Sequence, residues 1–306
     1  MSGAFAPSAR VAYLCLTGTM LMWAMGVVIA RGTHETIPPV GLAFWRWFGG
    51  VMLLLPFVWR DLIRHRATIL AHRNALLLLG GLMVWSGAGM HIAVNYTSAI
   101  NATLVNAAQP AITAVGAFLL GRDRLSPAQW LGIAAATSGI AIMASRGEWE
   151  VLASFGFNTG DIVIFVATFG FSAYALNVHR VPGEMGLFAS LFVIGMAGSL
   201  LILPAYIVET ALMRPMPFTW QSVSAVSTLA VFMTVLSIFL WNAGNRAIGP
   251  SRAGIFVNLF PVFVAALAIV FLDEELHLYH LAGAACVCLG ITLVVTGGRA
   301  VRPKPA

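Results

Sequence analysis

Long apolar segments alternate with short stretches rich in charged residues, proline and glycine along almost the whole chain. Each apolar segment is about 20 residues long, which is the length of helix that crosses the hydrocarbon core of a bilayer. The pattern therefore predicts about ten transmembrane helices. From the amino terminus they cover residues 11–30, 38–59, 74–95, 100–120, 127–145, 161–179, 185–208, 220–245, 251–272 and 278–297.

The composition strengthens this prediction. Hydrophobic residues make up 59% of the 306 positions and charged residues only 9%, whereas about a quarter of an ordinary soluble domain is charged. The predicted loops are too short to hold a soluble domain. We also expect the first apolar segment to stay as a helix rather than be removed as a signal peptide, because it lacks a clear small-residue cleavage site and many more spans follow. The predicted fold class is an all-α polytopic membrane protein.

The basic residues indicate topology rather than nucleic-acid binding, because they stand at the ends of apolar segments and not on one face. Lysine and arginine are retained on the cytoplasmic side during insertion. If the amino terminus is cytoplasmic, all but four of the 17 basic residues fall in cytoplasmic segments. Arg31, Arg146 and Arg214 are left outside, and Arg46 lies within a span. We predict that both termini are cytoplasmic in a multi-pass protein of the inner (plasma) membrane.

The cysteines and other reactive residues give no sign of an enzyme. Cys15, Cys286 and Cys288 lie inside apolar segments, in an arrangement that fits neither a disulfide framework nor a zinc site. The spans contain no cluster of His, Asp or Cys at metal-ligand or nucleophile spacing, and no ring-forming filter motif of the kind that channels use. We expect no catalytic residues, no metal and no cofactor.

An internal repeat relates the two halves of the chain at a shift of 151 residues. It places Pro110 on Pro261, Ala114 on Ala265, Ala117 on Ala268, Leu125 on Leu276, Gly132 on Gly283, Gly139 on Gly290 and Ile140 on Ile291. The halves are predicted to be residues 1–150 and 151–306, with five helices each. Because five is odd, the second half would enter the membrane inverted relative to the first, as in many alternating-access carriers.

Several of these landmarks resemble a known family. They are Trp23-Ala24 in the first helix, Arg46 in the second, and the segments that lead from Pro110 into 121–126 and from Pro261 into 272–276. The chain resembles the drug/metabolite transporter superfamily, specifically its ten-helix EamA-type members. Members commonly carry Gly at the position of Ala24, Glu at Asp123 and Trp near Phe171. The resemblance implies a helical basket around a central cavity and secondary transport of small metabolites, often amino acids leaving the cell.

The fourth predicted helix carries a polar stripe. Thr103, Asn106, Gln109, Pro110 and Thr113 recur at three- and four-residue spacing, which puts them on one helix face. Polar groups are costly in hydrocarbon, so this face is predicted to line a cavity or to contact another helix. The stripe is either a substrate-binding wall or a set of hydrogen bonds between helices.

Pro110 and Pro261 are predicted to kink their helices at corresponding depths, since proline lacks the amide hydrogen and clashes with the preceding turn. Paired interruptions of this kind mark binding sites in carriers built from repeats. Asn258, one turn before Pro261, is the predicted polar partner from the second half. The alternative is that both kinks are purely structural.

Arg46 and two histidines are the titratable residues of interest within or near the spans. Arg46 could bind a substrate carboxylate in a bidentate manner, or could be structural. His91 and His179 are candidate proton carriers, although their predicted places near helix ends favour water-exposed interfacial positions. Among the aromatic residues, Trp23 and Tyr174, with Phe171 and Phe260, either line an amphipathic pocket or simply pack.

These features together predict a secondary transporter of small neutral or zwitterionic metabolites, with amino acids as the leading class, that exports them by alternating access. The predicted partners are a small-molecule substrate and the lipid bilayer, without nucleic acid. We expect a monomer that works by exchange or by coupling to protons. No predicted span has a central Asp or Glu, which argues against proton-driven export of organic cations. The alternative substrates are organic anions or nucleotide-linked sugars, with Arg46 as the anion ligand.

Overall fold

The computed structural model describes residues 8–121, 125–148, 150–151, 158–248, 256–257 and 259–297. These residues form helices and short connections, with no β-strand among them. The α-helices make up most of the described chain, and all but the six-residue α3 have eight or more residues. They are α1 (Ala9–Gly32), α2 (Pro39–Arg64), α3 (Arg66–Ala71), α4 (Arg73–Ala93), α5 (Ala99–Asn106), α6 (Gln109–Leu119), α7 (Pro127–Ala144), α8 (Thr159–Asn177), α9 (Leu187–Val208), α10 (Trp220–Thr228), α11 (Ser237–Ile248), α12 (Leu259–Leu272) and α13 (Leu278–Gly297).

Most of these bounds agree with the predicted ones to within a few residues. A π-helix, Glu209–Met213, prolongs α9, and a second one, Leu229–Leu236, joins α10 to α11 into one continuous segment. The ninth predicted helix is described at 256–257 and from Leu259 onward, and its residues 251–255 and 258 lie outside the described part. The fourth predicted helix is the clear exception, because it is interrupted between α5 and α6.

Seven helical segments of the described chain are long and apolar enough to cross a membrane. They are Ala9–Gly32, Pro39–Arg64, Arg73–Ala93, Ala99–Leu119, Thr159–Arg180, Leu187–Met213 and Trp220–Asn245. Two shorter apolar helices follow, Leu259–Leu272 and Leu278–Leu293. Large apolar side chains such as Leu14, Phe57 and Leu119 are exposed on the outside of the bundle, as expected of a protein whose solvent is lipid. Ten crossings, with α7 included, remain a prediction.

The packing of the helices joins elements that are distant in sequence. α1 packs against α11 and α12, and α8 packs in a similar way against α4 and the α5–α6 pair. α2 lies beside α9 and the π-helix Leu229–Leu236, while α4 also contacts α9. The first and second halves of the chain are thus interleaved around a shared buried core.

α7 and α13 have the most extensive contact of the described helix pairs, and we call this contact, at Gly132, Gly139, Gly283 and Gly290, the glycine seam. A Cβ atom on Gly139 would lie 2.6 Å from the carbonyl oxygen of Gly283, and one on Gly290 would lie 2.5 Å from that of Gly132. Only glycine permits such an approach between backbones. The pairing is also reciprocal, because the shift of 151 residues that relates Gly132 to Gly283 also relates Gly139 to Gly290.

Candidate substrate site

The interruption of the fourth predicted helix lies well inside the membrane-spanning segment. α5 ends at Asn106, Ala107 and Ala108 form a turn, and α6 begins at Gln109. α5 has 8 residues of the 21-residue segment, so the break lies about 12 Å from the start of the segment at 1.5 Å per residue. Ala107 and Ala108 keep right-handed helical dihedral angles, with φ of −62° and −76°, so the helix is disturbed just before Pro110, in agreement with the prediction, by a two-residue turn. Pro110 is the second residue of a new helix, where a missing amide hydrogen leaves no helical bond unmade.

Polar groups of α8 face the break. The hydroxyl of Thr168 is shared between the backbone oxygen of Ile164 in its own helix, at 2.7 Å, and Asn106 Oδ1, at 3.2 Å, and the hydroxyl of Ser172 donates to the backbone oxygen of Gln109 at 3.4 Å. Thr168 and Ser172 are buried, whereas Asn106 and Gln109 are half-buried. The side-chain amides at the break therefore lie inside the bundle without being fully sealed in it.

The predicted polar stripe divides into two groups. The hydroxyl of Thr103 donates to the backbone oxygen of Ala99 at 2.7 Å, and that of Thr113 to the backbone oxygen of Gln109 at 2.8 Å. These threonines hydrogen-bond within their own segment, as isolated hydroxyls in membrane helices commonly do. Asn106 and Gln109 are the members of the stripe with polar side chains at the interruption itself.

Trp23 belongs to an aromatic cluster between α1, α11 and α12. Its indole nitrogen donates to Ser237 Oγ at 2.9 Å. Its ring centroid lies 6.0 Å from that of Trp241 and 6.4 Å, edge to face, from that of Phe260. Two of the four predicted pocket aromatics, Trp23 and Phe260, are thus together, and the indole N–H has a partner of its own.

Tyr174 lies in a different place from Trp23. It packs against an apolar cluster of α4 and α9 that includes Leu79 and Ile194, and its ring centroid is 5.7 Å from that of Phe171. The structure does not unite these two rings with the cluster around Trp23. A single aromatic pocket made of all four residues is therefore not formed in this arrangement.

The second-half counterpart of the break is only partly described. Pro261 lies in α12, two residues after Leu259, the first described residue of that helix. The chain before Leu259 is described only at 256–257, so the kink at Pro261 stays a prediction. Asn258 lies outside the described residues.

Arg46 is buried in α2 with only 4% of its surface exposed, and no carboxylate of the described residues forms a salt bridge with it. Its guanidinium carbon lies 4.8 Å from the ring centroid of Trp47. Arg46 Nε, Trp47 Nε1 and His91 Nδ1 are buried nitrogens without a hydrogen-bond partner. A Cβ atom on Gly87 would lie 2.8 Å from Arg46 Nη2 and 3.2 Å from Trp47 Nε1, so these two donors converge on the same glycine of α4.

The two histidines occupy unlike environments. His179 is exposed in the 3-10 helix Val178–Arg180, as predicted. His91 has 1% of its surface exposed, so the interpretation as a water-exposed interfacial residue is wrong for it. The reason is the tight packing of α4 on α8 at this level, where a Cβ atom on Gly89 would lie 2.5 Å from Cβ of Ala167.

Sequence reasoning missed several residues of this region. Thr168 and Ser172 stand four residues apart in an apolar helix, so the spacing that singled out the stripe in the fourth helix could also have found them. Ser237, Trp47 and Gly87 gave no local signal. Their importance comes from contacts with residues far away along the chain.

The fold and the interrupted helix define a polytopic α-helical membrane protein with polar groups gathered inside its bundle, which is the architecture of a carrier. The chain belongs to the EamA-like transporter family, whose family model matches residues 10–145 and 158–296. It is therefore related to transporters of the drug/metabolite superfamily and not to enzymes.

Similar proteins agree with this family over most of the chain. An uncharacterized transporter of Bacillus subtilis, YyaM, is 24% identical over 91% of this chain and 92% of its own length. An uncharacterized transporter of Pseudomonas aeruginosa, PA0485, is 26% identical over 85% of each chain. A solved crystal structure is 18% identical, with a TM-score of 0.57 over 95% of this chain and 98% of that one, which supports the fold alone.

Proposed function

We propose that the protein is a secondary carrier that moves small neutral or zwitterionic metabolites, with amino acids as the leading class, out across the inner membrane by alternating access. The observation that carries this proposal is the helix break between Asn106 and Gln109. Ala107 and Ala108 keep helical dihedral angles, but the regular hydrogen-bond ladder is interrupted there, and backbone groups freed at membrane depth are tolerated only where protein surrounds them or where they line a cavity. In carriers of repeated architecture such breaks hold the substrate.

The chemistry of the break suits a zwitterion. The carbonyl end of α5 carries partial negative charge and the amino end of α6 carries partial positive charge, and the two ends are separated by Ala107 and Ala108. The ammonium and the carboxylate that an α-amino acid carries on one carbon could be bound by these opposite ends, with the side-chain amides of Asn106 and Gln109 as further donors and acceptors. Such recognition needs no charged side chain at the break.

The packing supports alternating access between two inverted halves. The shift of 151 residues exchanges α1 with α8, α4 with the α10–α11 segment, and α5–α6 with α12. Under this exchange the contacts of α1 with α11 and α12 become the contacts of α8 with α4 and α5–α6, and both sets are present. The reciprocal glycine pairs of α7 and α13 fit the same pseudo-two-fold axis.

The test is amino-acid counterflow into proteoliposomes containing the wild type or Asn106→Leu, with and without an imposed pH gradient. We expect wild-type exchange of at least one neutral amino acid and a reduction of roughly tenfold or more in the variant, because a polar ligand is replaced by an apolar one. Thr137→Val is the matched control, since Thr137 is exposed on α7 and its hydroxyl donates to Ile133 of its own helix. Equal activity of Asn106→Leu and wild type would contradict the proposed site.

Organic anions are the second candidate class, favoured by the buried and unpaired Arg46. A buried guanidinium without a carboxylate is costly, and a substrate carboxylate would supply the missing counter-charge to Arg46. In the same assay, exchange of dicarboxylates but of no amino acid, lost in Arg46→Gln, would favour this class. Exchange of amino acids that Arg46→Gln retains would assign Arg46 a structural role.

A further inference from the structure

A polar cavity of about 200 Å³ lies at one end of the bundle, separate from the helix break. We call it the Arg31 pocket. Its lining comes from the end of α1, the turn between α4 and α5, the start of α5, the end of α7 and the start of α13. The lining residues are Arg31, Tyr96, Thr97, Ser98, Asn101, Met143, Arg146 and Tyr279.

Arg31 is fixed in place at the wall of this pocket. Its Nη1 donates to the backbone oxygen of Val94 at 2.7 Å, and its Nε lies 3.7 Å from Glu274 Oε1. The side chain of Arg31 remains 28% exposed. Arg31 lines the pocket, so its partly exposed side chain is accessible from the cavity.

Two carboxylates that contact lining residues of the pocket are already bound by other groups. Glu274 accepts the backbone N–H groups of Ala99 at 2.8 Å and Ile100 at 3.1 Å, at the start of α5. Asp161, which is 7% exposed, accepts Thr97 Oγ1 at 3.1 Å and Asn101 Nδ2 at 2.5 Å. Neither carboxylate lines the pocket itself.

Arg146 supplies a second cationic group at the rim. It is exposed in the turn after α7, its φ is 55° and it makes no salt bridge with the described residues. The lining of the pocket therefore carries two guanidinium groups, two phenols and several uncharged polar groups, but no carboxylate. This set of donors matches a small molecule with a carboxylate group, since guanidinium groups bind carboxylates with charge-assisted hydrogen bonds.

We infer that the Arg31 pocket is a carboxylate-binding subsite at one mouth of the transport pathway, distinct from the helix break. This inference rests on the proposed function and deepens it, because it assigns a place where the substrate is held on one side of the membrane only. The recognised group is the carboxylate that amino acids and simple organic acids share. Glu274 lies in the connection between α12 and α13 and accepts hydrogen bonds from the backbone of α5. Since Arg31 lies next to Glu274, the pocket is where the two halves of the chain meet.

The test measures transport from each side separately, with membrane vesicles of both orientations containing the wild type or Arg146→Gln. We expect the KM of a transported amino acid to rise roughly tenfold from one side and to stay unchanged from the other, because one charge-assisted contact is lost at one mouth. Arg214→Gln is the control for general surface charge, since Arg214 lies near the same end but donates to the backbone oxygens of His34 and Glu35. Equal changes from both sides, no change from either, or the same change in Arg214→Gln would overturn the inference.

A binding measurement separates this inference from the transport proposal. The thermal stability of the purified protein is followed with propionate, with propionamide, which has the same shape without the charge, and with alanine. We expect propionate and alanine to stabilise the wild type, propionamide to have no effect, and Arg146→Gln to lose the stabilisation. Stabilisation by propionate alone would assign the site to organic acids, whereas an equal effect of propionate and propionamide would overturn the inference even if transport is observed.

Discussion

The glycine seam of α7 and α13 and the α5–α6 break are neighbouring regions that are stabilised by different kinds of contact. At the seam two continuous helices approach so closely that glycine is required on both sides, as between Gly139 and Gly283. At the break a helix is interrupted, and polar groups of α8 hydrogen-bond to Asn106 and Gln109. The seam is stabilised by close backbone contact, the break by polar contacts.

This difference indicates how one bundle combines a fixed part with a part that can bind and release a ligand. Tightly interlocked helices have one preferred arrangement, because any separation loses many van der Waals contacts at once. Hydrogen bonds at an interrupted helix can be exchanged for hydrogen bonds to a substrate or to water at little net cost. We therefore expect substitutions at the seam to affect folding and substitutions at the break to affect transport.

The largest effect is expected for Gly290→Val at the seam. The new Cβ atom would lie 2.5 Å from the backbone oxygen of Gly132 and 2.7 Å from the backbone nitrogen of Ala136, neither of which can move without moving α7. The helices must separate, at a cost of roughly 3 kcal/mol or more. Size-exclusion chromatography of the detergent-solubilised protein should show loss of the monodisperse peak.

Gly183→Val is the control for this substitution. Gly183 lies in the connection before α9, and no atom would come within 4 Å of a Cβ atom there. The chromatographic profile of this variant should match that of the wild type. A monodisperse and active Gly290→Val protein would show that the seam is less rigid than the packing indicates.

An intermediate effect is expected for Pro110→Ala at the break. Alanine brings an amide hydrogen that can donate to the backbone oxygen of Asn106, so that α5 and α6 can join into one helix. The transport rate should fall roughly tenfold, equivalent to about 1.4 kcal/mol, while the thermal stability stays the same or rises. Pro127→Ala is the control, because Pro127 is the first residue of α7 and interrupts no helix. Unchanged transport by Pro110→Ala would show that the break is not needed for transport.

Sequence patterns predicted the two regions unequally well. Gly132, Gly139, Gly283 and Gly290 stand out in the internal repeat, and the helices that carry them were predicted within one residue of their bounds. Apolar helices of this length are a local property of the chain, because hydrophobicity and the need for internal backbone hydrogen bonds decide them. Which helix each glycine meets is a tertiary property and had to come from the structure.

The break was harder to predict for a physical reason. Ala107 and Ala108, which form the turn, are among the best helix formers, and Pro110 alone is compatible with a kinked but continuous helix. The interruption is accompanied by hydrogen bonds from Thr168 and Ser172, about 60 residues further along the chain. Likewise, Arg46 was identified by its type, but its convergence with Trp47 on Gly87 depends on the packing of α2 against α4.

The smallest effect is expected for Thr168→Val, which keeps the shape of the side chain and removes the hydroxyl that bonds to Asn106. A hydrogen bond between membrane helices contributes about 0.6 kcal/mol on average, which corresponds to a roughly threefold change. If Asn106 is a substrate ligand, the loss of its partner should change the KM of the transported amino acid by about this factor and leave the chromatographic profile unchanged.

Thr137→Val tests whether this effect is specific to the break, because it makes the same chemical change at an exposed position whose hydroxyl bonds within its own helix. Its KM should equal that of the wild type. If Thr168→Val instead lowered the thermal stability without changing KM, the Thr168–Asn106 contact would be a structural bond between helices. This residue pair would then have a structural role, as the seam does, and no role in transport.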